Sequence, residues 1–350
     1  MDHRLTESQE LLRKSAADFF NRQYPLDRMR ELYGDRPRRD AELWPALISL
    51  GWTAAPFGEA IGGFPGSLME AAPLIEELGR AAFATPFVHS SVAAGLALAS
   101  RPEAADLAAK LASGVMTAAW CAPSGLDGPL SASGGAISGT VRGAVWPELV
   151  THFLVPAGDV VALVDAAAGG ISRRNLETPG AESVGEVSFS EAPVVRTLDA
   201  ALSTDILLGG AAGNAIILLG ASERALEIAV DYAKMRIQFG QPIGAFQSIQ
   251  HRCADMLIAV EVSRNLAYKA AAVHGTSEFP RAARNAKAYL GDSARRVTRD
   301  AIQIHGGVGF VDDHRVQLSY RTALSASSYY ETSPAHRAVV SQLVLAGRPT

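Results

Sequence analysis

Apolar and polar residues follow three different rhythms along the 350-residue chain. From the start to about residue 113 the rhythm is helical. Thr6-Glu7-Ser8-Gln9 reads as a capping box, and Leu11, Leu12, Ala16, Phe19 and Phe20 then fall on one helix face. Pro25 and the Arg-rich stretch to Arg39 are expected to break this helix, with the pattern resuming over 41–50. Gly62-Gly63-Phe64-Pro65-Gly66 reads as a loop, followed by a helix over 67–80 that Pro73 should kink or begin. From 114 to 200 short runs of Val, Ala and Thr alternate with Gly, Pro and Asp, the pattern of short strands joined by turns. Beyond 201 the helical rhythm returns. Leu226, Val230, Ala233 and Ile237 keep one buried face over 224–237, Pro242 and Gly244 end that element, and helices are predicted over 246–275 and 280–305, the last stopped by Gly306-Gly307. The fold class predicted is mainly α with a small β-domain, divided at 1–113, 114–200 and 201–350.

The most apolar run, 206–221, has 16 residues with four glycines and one Asn. It is shorter than the roughly 20 residues that span a bilayer, so a buried core helix is expected and no membrane. The opening residues are polar and show no apolar targeting run. Apolar residues at 48% and charged residues at 19% exclude a disordered chain, and a net charge of −4 offers no electrostatic footprint for nucleic acid. Cys121 and Cys253 match neither a disulfide framework nor a zinc site, and His251, His305, His314 and His336 have no ligand spacing. No metal is expected, those histidines are read as surface or cap residues, and a reducing cytoplasm fits best.

Two segments carry candidate chemistry. In 231–251, DYAKMRIQFGQPIGAFQSIQH, a charged helix end meets Phe239-Gly240 and then Phe246-Gln247 at the next helix start. Arg236 can pair bidentately with phosphate, Phe239 can cover a planar ring, and Gln247 can bond an amide or hydroxyl. By residue type alone this is also an ordinary helix–turn–helix corner with a surface Arg. In 303–310, QIHGGVGF, glycines at a helix end let backbone approach a ligand closely, though glycine is also the usual helix terminator.

Together, RIQFGQPIGAFQSIQH followed some 50 residues on by QIHGGVGF resembles the acyl-CoA dehydrogenase family, as do ELGRAAFATPF and the preceding GGFPG. The resemblance runs the length of the chain. It implies an α-helical N-terminal domain, a central β-barrel-like domain and a C-terminal four-helix bundle, with FAD bound between domains and across a subunit interface. Arg236 would meet the FAD pyrophosphate of a neighbouring subunit, with Phe239 and Gln247 beside the same cofactor and Gln303, Gly306 and Gly307 along its adenosine half. The implied reaction is α,β-desaturation of an acyl-CoA or acyl-carrier thioester, a carboxylate taking the α-proton while the β-hydride passes to flavin. An electron-transfer flavoprotein is the implied acceptor.

The chain departs from the pattern at the base. Counted without gaps, the Glu of the family's Y-E-G-T segment falls on Tyr330; Glu331 stands one residue later, and Thr332 matches the Thr near the flavin. Glu331 is the candidate catalytic base. The alternative base position, at the start of the helix before RxxFG, is Gly210, and Asp205 lies five residues early. The segment 120–125 lacks the usual glutamate–proline and glycine–serine–aspartate run, and Trp146 is a candidate remnant of the flavin-contacting Trp element. The short β-region and altered base resemble small subunits of heteromeric acyl-CoA dehydrogenases, such as those acting on steroid side chains. Three readings follow: a homo-oligomeric dehydrogenase of lipid metabolism using Glu331, a non-catalytic or half-site subunit of a heteromer, and altered flavin chemistry in a biosynthetic pathway.

Overall fold

The computed structural model describes residues 5–61, 66–122, 130–180, 182–311 and 314–346. Most of the expected loop at 62–66, and Pro123, Ser124 and Gly125, lie outside the described residues. The helices of the first third are α1 (Glu7–Gln23), α2 (Leu26–Gly34), α3 (Arg36–Ser49), α4 (Leu68–Ala81), α5 (Gly95–Ala99), which continues a π-helical turn at Val88–Ala94, and α6 (Ala105–Ala112). The strands follow: β1 (Ala118–Trp120), β2 (Ser131–Ser133), β3 (Ala136–Val145), β4 (His152–Ala157), β5 (Val160–Asp165), β6 (Ile171–Leu176) and β7 (Val184–Asp199). The remainder is α7 (Leu202–Met235), a small hairpin of β8 (Ile237–Gln238) and β9 (Gln241–Pro242), then α8 (Gln247–Ala272), α9 (Phe279–His305), α10 (Val316–Ser328) and α11 (Ser333–Ala346). This is the helix, sheet, helix order read from the sequence.

The local signals explain most of these elements. Thr6 Oγ1 accepts from the Gln9 amide at 3.3 Å while Gln9 Oε1 accepts from the Thr6 amide at 2.9 Å, so the capping box starts α1. Pro25 ends α1, but residues 26–39 do not break the pattern as expected. Pro25 O accepts the Met29 amide and begins α2, and Pro37 sits in the first turn of α3, where its missing N–H is not needed. Pro73 lies inside α4 and does not begin it. The helix expected from 224 is the second half of α7; it stops at Met235, so Ile237 stands in the hairpin, 61% exposed, and not on the buried face. The apolar run lies within α7 as a buried core helix: Ile206, Ala211, Ala212, Ala215, Ile216, Leu218 and Leu219 are wholly buried.

The chain forms two compact units. One, Asp35–Ala71 with Ala84–Gly210, contains the sheet, ordered β1-β4-β5-β7-β3-β2 with β6 also on β7. The 16 residues of β7 pair antiparallel with β5 near its C-terminal end and with β3 and β6 along the rest. β1 runs parallel to β4, and β4–β5 form a hairpin. Two side-chain hydrogen bonds tie its helices to the rest of the unit: Trp44 Nε1 donates to Thr117 Oγ1 at 3.0 Å and Thr53 Oγ1 to Ala112 O at 2.8 Å. Trp146, offered from the sequence as a flavin-contacting remnant, is buried, with the Arg39 guanidinium 5.1 Å from its ring, so no face is free for a cofactor.

The other unit is Met1–Gly34, Ala72–Phe83 and Ala211–Thr350. Helices α8, α10 and α11 all pack on α9. A charged cluster ties α4, α7 and α8 together. Arg264 donates to Glu76 at 2.9 Å and also pairs with Glu223, while Arg80 reaches Glu223 at 2.7 Å and Glu227 at 2.9 Å. Burial pushes the Glu76 carboxyl up, but Arg264 and the hydrogen bonds it receives outweigh this and hold it below the ordinary range. Glu77 has less help, and burial raises it to about 7.

Candidate active site

The residues singled out by motif fall into two groups, both within the second unit. The first group surrounds the end of α7. Arg236 and the whole β8–β9 hairpin are exposed, and the hairpin closes through the Ile243 amide on Arg236 O at 2.8 Å. At its tip Phe239 takes φ +52° and is 92% exposed; its ring lies edge-on to Phe246 at 6.1 Å. Gln247, the first residue of α8, is exposed as well. Apart from this contact with Phe246, a large aromatic is held out in water on a strained backbone, open to a ligand or a second chain.

The C-terminal end of α9 comes to the same place. Tyr232 stacks on His305 at 4.3 Å, and His305 meets His314 at 4.4 Å. Burial lowers the pKa of both histidines, and His305, expected as a surface or cap residue, is buried at the last position of α9. This ring stack joins the last turns of α7 and α9 and so brings Gln303, Gly306 and Gly307 beside the Arg236 corner. Gln303 and Gly307 are exposed. Gly306 has φ +62°, and a Cβ added at Gly306 or Gly307 would meet nothing within 4 Å, leaving space against the backbone for a ligand.

A guanidinium, an exposed aromatic face, two amides and an open glycine turn are a donor set suited to a dinucleotide: pyrophosphate on Arg236, polar atoms on Gln247 and Gln303, a flat ring against Phe239. The residues fit FAD. Among the described residues no group of His, Cys, Asp and Glu could hold a metal ion.

The second group lies at the other end of α9, in the turn between α10 and α11. Tyr330 and Glu331 have φ of +52° and +69°, two consecutive non-glycine residues in the left-handed region. Glu331 therefore has a glycine-like backbone at the position where the ungapped register sets the glycine of Y-E-G-T. Its carboxylate accepts from Arg284 Nη1 at 3.2 Å and lies 3.9 Å from His336 Nδ1; its side chain is 39% exposed. Thr332 beside it is exposed. Lys287, fully buried, donates from Nζ to Ser327 O at 2.8 Å and to Glu331 O at 3.2 Å. Burial lowers its amine to about 7 against the opposing pull of Glu331. His336, expected as a surface or cap residue, is fully buried in the first turn of α11 and donates from Nε2 to Tyr330 O at 2.8 Å.

Arg284, Lys287 and His336 were not singled out by motif. The available signal was Lys287 itself, a lysine on the same α9 stripe as the buried Ala283, Leu290 and Ala294. The alternative base positions are spent: Gly210 carries no side chain, and Asp205 is paired to Arg101 at 2.8 Å.

Comparison with known proteins gives the family. Residues 6–114 match the N-terminal domain of acyl-CoA dehydrogenases and residues 200–345 the C-terminal domain. The acyl-CoA dehydrogenase FadE27 of Mycobacterium tuberculosis is 31% identical over 85% of this chain and 86% of its own. The acyl-CoA dehydrogenase IpdE2 of Mycolicibacterium smegmatis is 28% identical over 91% and 93%. The crystal structure of the ChsE4–ChsE5 complex of Mycobacterium tuberculosis superposes over all of both chains with a TM-score of 0.92 and 26% identity. The helix–sheet–helix fold and the dinucleotide-suited corner define a flavin-dependent oxidoreductase, and the chain belongs to the acyl-CoA dehydrogenase family. Its activity is the FAD-dependent desaturation of acyl-CoA.

Proposed function

We propose that this chain builds its active sites jointly with a second chain, and that Glu331 is the carboxylate that removes the α-proton. The observation that carries the shared site is the separation of the two residue groups. Lys287, under the Glu331 turn, and Gln303 are sixteen residues apart on one helix, about 24 Å at 1.5 Å per residue. Arg236, Phe239, Gln247, Gln303, Gly306 and Gly307 then serve the adenosine and pyrophosphate half of one flavin, while Glu331 and Thr332 serve the ring end of another. The exposure of Phe239 in the single chain supports the same reading.

FAD, when bound, supplies the acceptor for the β-hydride of the thioester. The protein's part is proton transfer and placement. Arg284 Nη1 holds the Glu331 carboxylate at 3.2 Å, and the half-exposed side chain leaves it open to substrate. Arg236 would hold the pyrophosphate through its guanidinium, and Thr332 would offer a hydroxyl at the ring end. We place the domain divisions near residues 113 and 200, take an electron-transfer flavoprotein as acceptor, and place the chain in the cytoplasm, in keeping with two free cysteines.

A second reading is favoured by the glycine-like backbone of Glu331, which supports the register that puts Tyr330 at the family's base position. In that reading the chain is one subunit of a heteromer whose partner supplies the base, as the ChsE4–ChsE5 pairing suggests. Glu331→Gln separates the two. Loss of a base is expected to slow anaerobic flavin reduction by acyl-CoA by roughly 10²–10⁴-fold with FAD content unchanged. Unaltered reduction would remove Glu331 from the reaction and leave the heteromer.

A further inference from the structure

We propose that Lys287 and His336 are positioning residues that clamp the Tyr330–Glu331 turn in its left-handed conformation and so fix where the Glu331 carboxylate stands. The proposal rests on the reading of Glu331 as the base.

The turn is costly on its own. A non-glycine residue in the left-handed region is strained by the contact between Cβ and the following carbonyl, and here two such residues are adjacent. Strain of this kind persists only where the surroundings over-determine it. The donors around the turn do so. Lys287 Nζ gathers two carbonyls, Ser327 O at the end of α10 and Glu331 O beyond the strained pair, and thereby pulls the two ends of the turn together. His336 Nε2 holds Tyr330 O from the opposite side at 2.8 Å, and the His336 amide takes Thr332 O at 3.1 Å.

Both clamping side chains are wholly buried, so neither bond competes with water. They are fixed from behind as well. Ser333 packs on α9 one turn beyond Lys287, where Gly291 leaves no room for a Cβ, and Arg337 Nη1 donates to Ala288 O, next to Lys287, at 3.3 Å. With Nε2–H donating to Tyr330 O, His336 Nδ1 is bare and accepts from Arg284 Nη1 at 3.5 Å, the same nitrogen that holds the Glu331 carboxylate. The work is thus divided. Lys287 and His336 hold the backbone, Arg284 holds the carboxylate, and the Glu331 and Thr332 side chains are left facing outward. Lys287 is shut off from solvent and makes its hydrogen bonds to the backbone of the turn, with a charge attraction to Glu331 beside them.

The test uses the flavin-loaded protein and anaerobic flavin reduction by butyryl-CoA and longer saturated acyl-CoA thioesters. Lys287→Met removes both donors and keeps the apolar stem. Flavin content and KM within about twofold of native, with reduction slowed roughly ten- to hundredfold, are expected for a base displaced by about an ångström. Lys287→Gln, which keeps an N–H donor, should recover part of that loss. Combined with Glu331→Gln, Lys287→Met should add nothing, because both act on one group. If Lys287→Met fails to fold, His336→Phe removes the bond to Tyr330 O while filling the space, with the same expectations. The proposal is overturned if Glu331→Gln stops reduction but the clamp variant leaves the rate unchanged, or if the two losses multiply. Retained reduction in Glu331→Gln alone is a different result, which removes the base assignment itself.

Discussion

Lys287 also gives a stability signal that can be read without substrate. Its amine is fully buried, and burial outweighs the attraction of Glu331, carrying it from 10.5 to about 7. Between those two values the unfolded chain holds the proton and the folded chain does not. Stability from this group therefore rises with pH across the window, and below about pH 7, where both states are protonated, the slope disappears. A full proton difference changes stability by about 1.4 kcal/mol per pH unit. Raising the pH from roughly 7.5 to 9 should then widen the gap between the native chain and Lys287→Met by about 1–2 kcal/mol, the native chain gaining. Urea unfolding of both proteins at several pH values measures this directly, because titrations common to both cancel in the difference. A difference that stays flat over the window would mean that Lys287 keeps its proton in the folded state, and the argument from its burial would fail.

Two further stability effects follow from the same unit. Arg264→Met should destabilise the chain by roughly 3–5 kcal/mol, since it leaves the carboxylate of Glu76, 2% exposed, without its principal partner; adding Glu76→Leu should recover most of the loss in thermal or urea unfolding. Thr6→Ala should cost about 1 kcal/mol by removing the N-cap acceptor of α1, read in the same assays.

The helices and strands were legible where local chemistry and burial agree. The Thr6–Gln9 box, the amphipathic stripe of α9 and the run of short strands each act through neighbouring residues or one buried face, so their signals survive in one dimension. The stretch after Pro25 misled because proline ends one helix and begins the next with equal ease, and only packing decides. The residues proposed for the FAD side come from RIQFG and QIHGG, but motifs do not show that Tyr232 and His305 stack at the ends of α7 and α9. The proposed clamp left almost no mark in the sequence. Lys287, Ser327 and His336 are far apart in the chain, and a positive φ at Tyr330 and Glu331 leaves no mark in side-chain type. A lysine on an apolar stripe was the one trace of it.

The shared active site is tested most directly by complementation. Arg236→Ala and Glu331→Gln chains, each impaired alone, are dissociated, mixed and reassembled. With the two residue groups serving different flavins, each hybrid pair contains one site carrying both defects and one carrying neither. Acyl-CoA desaturation should then return toward half the native rate per site. No recovery on mixing, with hybrids verified by differential tagging and native mass spectrometry, would mean that Arg236 and Glu331 do not act at two separate flavins of such a pair, contradicting the shared site.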